Sequence, residues 1–451
     1  MMRTGLRIEL RRSSALWAGL LLVVSATTML LLLTTSYAKW PGNSTSAVLA
    51  LREPLGYVWA LVVGLAVLQG MRDSRARVEE LFATTSRPGW VRLGTLASAV
   101  AGVVAAATAL LCVGVVGKVV AGGGFVSAGF VPLMLTVVLA LAASVVLGLA
   151  VGRLLPHPLA VPVALVATFT VATMAVQAQD VRSPDGVIPP LALLVPVFAP
   201  PNSDLVTTST SVDVGQIVWF AGLGVTALLL LVARSWRGGL VALVPAGLAL
   251  ALAVSILPSR LSDVLVTDSI GGRLVCDGQV CVSQVHEAGL PTAAEVGRDV
   301  LAKLSVLPGA PTEVREDTSA MAHYAVPRRS GDVVYLSSQG HASVLGMPAE
   351  QMRRELLAGA GVPSCTEPNS TDSRESAVRY LTAAYFTGQL TALASDPYVW
   401  GSSSMRAAIE EDWRAFRSKS PSEQLGRVAK AREMLLTCQD PERIRDVLVA
   451  P

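Results

Sequence analysis

Through the first 258 residues, long apolar stretches alternate with short polar connections rich in arginine; beyond Pro258 the stretches become shorter and mixed. A helix rises about 1.5 Å per residue, so about 20 apolar residues cross a hydrocarbon layer of about 30 Å. Stretches of that order recur at Ala15–Thr35, Leu55–Met71, Leu93–Gly117, Phe130–Gly152, Leu159–Gln177, Ile217–Ala233 and Leu240–Leu257. The second and sixth are short. They rely on flanking aromatic residues, Tyr57 and Trp59 in one and Trp219 and Phe220 in the other, which favour the membrane interface. Arg11 and Arg12 precede the first stretch as in a signal peptide, but its apolar core is too long for one and further stretches follow. The pattern predicts a mainly α protein, with a polytopic helical membrane domain of about seven spans over 1–258.

The remainder, 259–451, reads as a small α/β domain with a helical C-terminal part. Arg273–Ser283 alternates β-formers around Asp277-Gly278, a hairpin signal. Helical patterns follow near Ala293–Leu304 and Pro348–Leu357, with extended runs near Thr312–Arg315 and Asp332–Ser337. The end of the chain is helical throughout. Asp372 with Glu375 reads as a capping box, and Ser420 ahead of Pro421 as a helix start.

Composition separates the same two parts. Overall 15% of residues are charged, against roughly 25% in soluble domains. Residues 1–258 hold 16 Lys+Arg and 9 Asp+Glu, whereas 259–451 hold 20 and 24, so a basic apolar part precedes a mildly acidic mixed one. Only five of the 36 basic residues are Lys, which with abundant Ala, Val and Gly suits a GC-rich bacterial genome. With the N-terminus inside, the cytoplasmic segments carry twelve Lys/Arg and the outer loops four, Lys39, Arg52, Lys118 and Arg182. Seven spans then place 259–451 outside a plasma membrane. Cys276, Cys281, Cys365 and Cys438 fall in that part, an even number suited to two disulfides in an oxidising compartment. Cys276 and Cys281 flank a short turn and can face each other; three pairings remain formally open.

Candidate chemistry is sparse. The cores of the seven stretches lack Asp, Glu, Lys, Arg and His, which argues against proton- or ion-coupled carriers and conventional channels. Gly114–Lys118 lacks the first glycine and the hydroxyl residue of a phosphate-binding loop. His286-Glu287 starts like a zincin motif, but Leu290 stands where the second His belongs. Ser338 lacks the first glycine of a nucleophile elbow. His286, His323 and His341 have no metal-ligand spacing. The sequence assigns no catalytic residue, metal, cofactor or nucleic-acid partner. The outer loop Ala178–Gln216 contains the apolar, proline-broken run Ile188–Pro201, expected to pack on the outer face or to close over a path between helices.

Arg72–Arg92, between the second and third stretches, carries the one suggestive arrangement. Val78, Leu81 and Phe82 form a helical apolar stripe, Glu79 and Glu80 lie among arginines, and Pro88-Gly89 ends the pattern. This predicts a short amphipathic helix at the cytoplasmic surface. The order Glu80, Leu81, Phe82, Thr84, Thr85, Ser86, Arg87 resembles the cytoplasmic elbow of membrane subunits of ABC-2 type exporters. The resemblance covers roughly 1–235. It implies a permease subunit, dimeric with a like or unlike subunit. It further implies that a separate ABC-type ATPase is contacted by an elbow comprising Arg72, Arg75, Arg77, Glu79, Glu80, Leu81, Phe82, Ser86 and Arg87. A seventh span and Thr85, where the family often has Pro, depart from that pattern. The C-terminal part resembles extracytoplasmic domains of undefined role attached to actinobacterial permeases. The alternative is a membrane-anchored extracytoplasmic sensor or binding protein.

Overall fold

An apolar segment in lipid can satisfy its backbone N–H and C=O groups only within itself, so it coils into helix. The computed structural model describes residues 42–75, 89–179, 186–198, 203–233, 235–319, 327–337, 343–365 and 373–450. The first predicted span, Ala15–Thr35, lies outside them, as do Ser338, His323, His341 and Asp372. The chain divides into two compact units, Met1–Pro201 with Val206–Val266, and Asn202–Leu205 with Thr267–Pro451.

In the first unit the helices are α1 (Ser44–Ala50), α2 (Leu55–Gly70), α3 (Arg72–Arg75), α4 (Gly89–Ala121), α5 (Phe130–Leu154) and α6 (Ala160–Gln179). After β1 (Val206–Thr208) come α7 (Thr210–Val232), α8 (Trp236–Ala242), α9 (Val244–Ile256) and α10 (Leu261–Val264), then β2 (Leu265–Thr267), which pairs with β1. By length and composition, five helices among the described residues can cross a membrane: α4, α5, α6, α7 and the α8–α9 pair. A sixth is counted if α1 and α2, bent by 55°, form one broken span.

Two predicted spans change shape. The second forms α2 from Leu55 as expected, but a further helix, α1, precedes it across a break at Arg52. The sixth begins earlier, at Thr210, taking in Asp213 and Gln216, polar residues tolerated there because partners are folded against them. Where α8 gives way to α9 at Pro245, the next backbone N–H, that of Ala246, donates to Thr226 Oγ1 of α7 at 2.8 Å. The break therefore leaves that donor satisfied.

Without a hydrophobic drive between helices in lipid, association depends on close packing of small residues. One tight contact lies between α2 and α5. A methyl group at Gly148 would sit 2.6 Å from Ala66 Cβ and 2.9 Å from the Val63 carbonyl, and one at Gly152 2.1 Å from the Val67 carbonyl. At Gly102, in the apolar stretch Leu93–Gly117, an added methyl would meet no described atom within 4 Å. α5 is the central element, with 61% of its apolar window buried against 11% for α6.

The second unit is a four-stranded sheet with helices. Its strands are β3 (Leu274–Asp277), β4 (Val280–Ser283), β5 (Glu313–Glu316) and β6 (Val333–Leu336), in that spatial order. β3 and β4 form the predicted hairpin, with Gly278 supplying the positive φ of a tight turn. β5 and β6 continue in parallel. A parallel neighbour needs a crossover, and α11 (Leu290–Leu304) supplies the one between β4 and β5. Gly297 lets α11 approach Val280. The core gathers Val280, Val282, Val300, Leu304, Val314 and Leu336 with residues from α12 (Ala349–Leu357), α13 (Ser373–Thr387), α15 (Ser403–Arg417), α16 (Pro421–Leu436) and α17 (Pro441–Val449); α14 (Pro397–Gly401) precedes α15. Ser420 accepts a hydrogen bond from the Glu423 backbone N–H, the predicted cap of α16. Disulfides join Cys276 to Cys281, directly opposite across the hairpin ladder, and Cys365 to Cys438.

Candidate functional site

The predicted elbow is described only at its start. Arg72 and Arg75 are exposed on α3, one helical turn that continues from α2 through a bond from the Arg75 N–H to the Met71 carbonyl. Arg77, Glu79, Glu80, Leu81, Phe82, Ser86 and Arg87 lie outside the described residues.

Two polar clusters emerge that sequence reasoning passed over. The first is buried in the helical unit. Arg52, at the break between α1 and α2, has no solvent exposure. Its Nε donates to the Pro196 carbonyl at 2.8 Å and its Nη2 to Gln216 Oε1 at 2.8 Å, while the guanidinium lies 5.0 Å from the centre of the Phe198 ring. Gln216 Nε2 donates in turn to the carbonyls of Leu193 and Val195, and Gln179 Nε2 to those of Ala192 and Val197. Asp213, held by Thr208 Oγ1 at 2.7 Å, supplies the countercharge.

The logic is that of backbone satisfaction. The run 186–198 makes only a short 3-10 turn, Pro190–Leu193, and its prolines bring no N–H groups, so its carbonyls lack local donors. Buried carbonyls without donors cost about 1–3 kcal/mol each. Three long side chains from α6, the α1–α2 break and α7 reach in to donate. Buried Ile188, Leu193, Val195 and Phe198 supply the apolar complement. The proline-broken loop is thus a packed plug rather than a loose cover. A lone Arg just ahead of an apolar stretch gives no sequence signal of burial. Gln216, immediately ahead of the predicted sixth span, was the available hint.

The second cluster belongs to the sheet unit. His286 lies in the 3-10 turn Gln284–Gly289, with Nδ1 2.8 Å from Glu316 Oε1 and 3.1 Å from Ser283 Oγ. Glu316 Oε2 accepts the Ser283 N–H at 2.6 Å. On the other edge of the ring, Nε2 lies 3.7 Å from Asp204 Oδ2. Burial works against protonating His286, but the two carboxylates outweigh it, and its pKa is pushed up to about 9. Serine, histidine and acid together invite comparison with a hydrolase triad, and the geometry rejects it. In a triad the nucleophile and the acid use opposite ring nitrogens, whereas Ser283 and Glu316 share Nδ1 and Ser283 is fully buried. The carboxylates also lie on opposite edges of the ring, so they do not converge with it on one ion. Among the described residues no group of three or more His, Cys, Asp or Glu is placed to hold a metal. A signal for Glu316 did exist: strand alternation puts it on the inward face with Val314, and a buried carboxylate requires a donor partner.

Compared with protein-family models, curated proteins and solved structures, the chain matches none.

Proposed function

We propose that this chain is the membrane permease subunit of an ATP-driven exporter of the ABC-2 kind. It works as a dimer, with a separate ATPase docked on the 72–92 elbow. The observation that carries the reading is a set of membrane-length apolar helices in which the charged segment Arg72–Arg92 lies in sequence between the apolar helix α2, counted toward a span only together with α1, and the membrane-length helix α4. Among the described residues, the interior of the bundle offers no chain of titratable groups. Asp213 and Arg52 sit together at the end of α7 near Thr210 and are engaged with the loop plug and Thr208. The energy for movement then comes from outside the chain, whose sequence carries no phosphate-binding loop. In this reading seven spans set the N-terminus in the cytoplasm and the disulfide-bearing unit outside.

The test is affinity purification of tagged protein from native membranes, followed by ATPase assay. Recovery of an ATPase that is lost when Glu79 and Glu80 are both changed to Lys supports the proposal. No associated ATPase, together with transport unaffected by that double change, refutes it. The alternative, a membrane-anchored sensor or binding protein, draws support from the second unit alone, since a folded, disulfide-braced domain is more than a permease requires.

A further inference from the structure

The chain contributes to the second unit twice, first with Asn202–Leu205 and again from Thr267 onward. Between those two contributions, in sequence, lie β1, α7, α8, α9, α10 and β2. The first contribution is only four residues long, and two of its residues are tied to the later part of the unit. Leu205 is buried, and its carbonyl accepts the Asp268 N–H at 2.8 Å. Asp204, with its side chain 31% exposed, faces His286 Nε2.

We infer that Asp204, His286 and Glu316 form a charge clasp that fastens the Asn202–Leu205 segment to the sheet of the second unit, and that the clasp opens at Asp204 when His286 loses its proton. The direction of opening follows from the ring. Both imidazole nitrogens are donors only in the imidazolium, which can then serve Glu316 through Nδ1 and Asp204 through Nε2. A neutral ring keeps one N–H. Glu316 is fully buried, 2.8 Å from Nδ1 and already holding the Ser283 N–H, so the remaining proton stays on Nδ1. Nε2 then turns a lone pair toward Asp204, and attraction becomes repulsion.

Among the described residues, the charged groups that act on His286 are Asp204 from the short segment and Glu316 from β5. Its pKa of about 9 lies above the ordinary value of 6.5. The clasp therefore contributes fully below about pH 6.5 and is lost as pH rises through about 9. In sequence, the segment it holds leads through β1 into α7, a candidate span. The inference rests on the clasp geometry and does not require the transport reading.

Hydrogen–deuterium exchange on the full-length protein in lipid nanodiscs tests it, comparing wild type, Asp204→Asn and His286→Gln at pH 7 and pH 10 with correction for intrinsic rates. At pH 7 the 203–209 peptide and the Asp268 amide are expected to exchange about 1.5- to fivefold faster in both variants, the range for loss of one partly exposed ion pair. At pH 10 wild type should match Asp204→Asn. The Val314 amide, bonded to the Gln279 carbonyl inside the sheet, is the reference for global folding. If His286→Gln also deprotects Val314, Asp204→Asn alone decides, since it leaves the His286–Glu316 pair in place. Equal protection of Asp268 and 203–209 in wild type and Asp204→Asn at pH 7 would overturn the clasp, and so would a wild type whose protection relative to Asp204→Asn does not change with pH.

Discussion

Replacing Arg52 with Ala should cost the helical unit about 3–5 kcal/mol, the range for removing one partner of a buried, hydrogen-bonded charge. The structure shows where that comes from. Two charge-assisted bonds, to the Pro196 carbonyl and to Gln216 Oε1, disappear together with the contact to Phe198. Each such bond contributes about 1.5–3 kcal/mol, and the stacked cation about 1–2 kcal/mol. The relief of no longer burying a guanidinium offsets part of this, while Asp213 loses its countercharge. Arg52→Lys keeps the charge but cannot serve two acceptors with the geometry of a planar fork, and should recover less than half of the loss. Thermal unfolding of purified protein in detergent, followed by size-exclusion fluorescence, reads the effect. The double-mutant cycle with Gln216→Ala should show a coupling of at least about 1 kcal/mol, as for residues sharing one network. An Arg52→Ala protein within about 0.5 kcal/mol of wild type, or one strictly additive with Gln216→Ala, would refute the claim that this arginine secures the loop plug.

Gly148→Leu should destabilise the helical unit by about 3 kcal/mol or prevent its assembly, because the new side chain meets the Val63 carbonyl and Ala66 on a neighbouring helix. Gly102→Leu, where an added methyl meets no described atom within 4 Å, should have little effect in the same thermal assay. The Cys365–Cys438 bond closes a separation of 73 residues and the Cys276–Cys281 bond one of 5. Chain-entropy reasoning gives about 4 and about 2 kcal/mol, so Cys365→Ser should lower the denaturant midpoint of the sheet unit about twice as far as Cys276→Ser. His286 has its pKa raised to about 9, so its contribution to stability is present in neutral solution and is withdrawn under alkaline conditions. Denaturant titrations should give wild type about 3 kcal/mol more stability relative to His286→Gln at pH 6.5 than at pH 10, and equal pH slopes for the two proteins would contradict the assignment.

Much of the fold is written in hydrophobic periodicity. The apolar stretches from Leu93 onward become α4, α5, α6, α7 and α8–α9, and the β3–β4 hairpin falls where Asp277-Gly278 placed it. What escaped is polar and long-range. The length of α7 depends on Gln216 and Asp213 finding Arg52 and Thr208, pairings across the sequence that no local window contains. Asp204 meets His286 for the same reason, and its place in a proline-rich outer loop disguised it as linker. The packing glycines illustrate a related limit. Small residues recur in several apolar stretches, and only the helix crossing distinguishes Gly148, pressed against α2, from Gly102, where an added methyl meets no described atom within 4 Å.

In the proposed permease reading, α3 lies on the cytoplasmic side and the disulfide-bearing unit outside. Single cysteines introduced at the exposed positions Arg72 and Glu433 test this directly, since four native cysteines are bonded and Cys112 is buried. A membrane-impermeant maleimide applied to intact cells should label Glu433→Cys at once and Arg72→Cys only after the membrane is opened. Labelling of Arg72→Cys from outside, or protection of Glu433→Cys until lysis, would contradict the account.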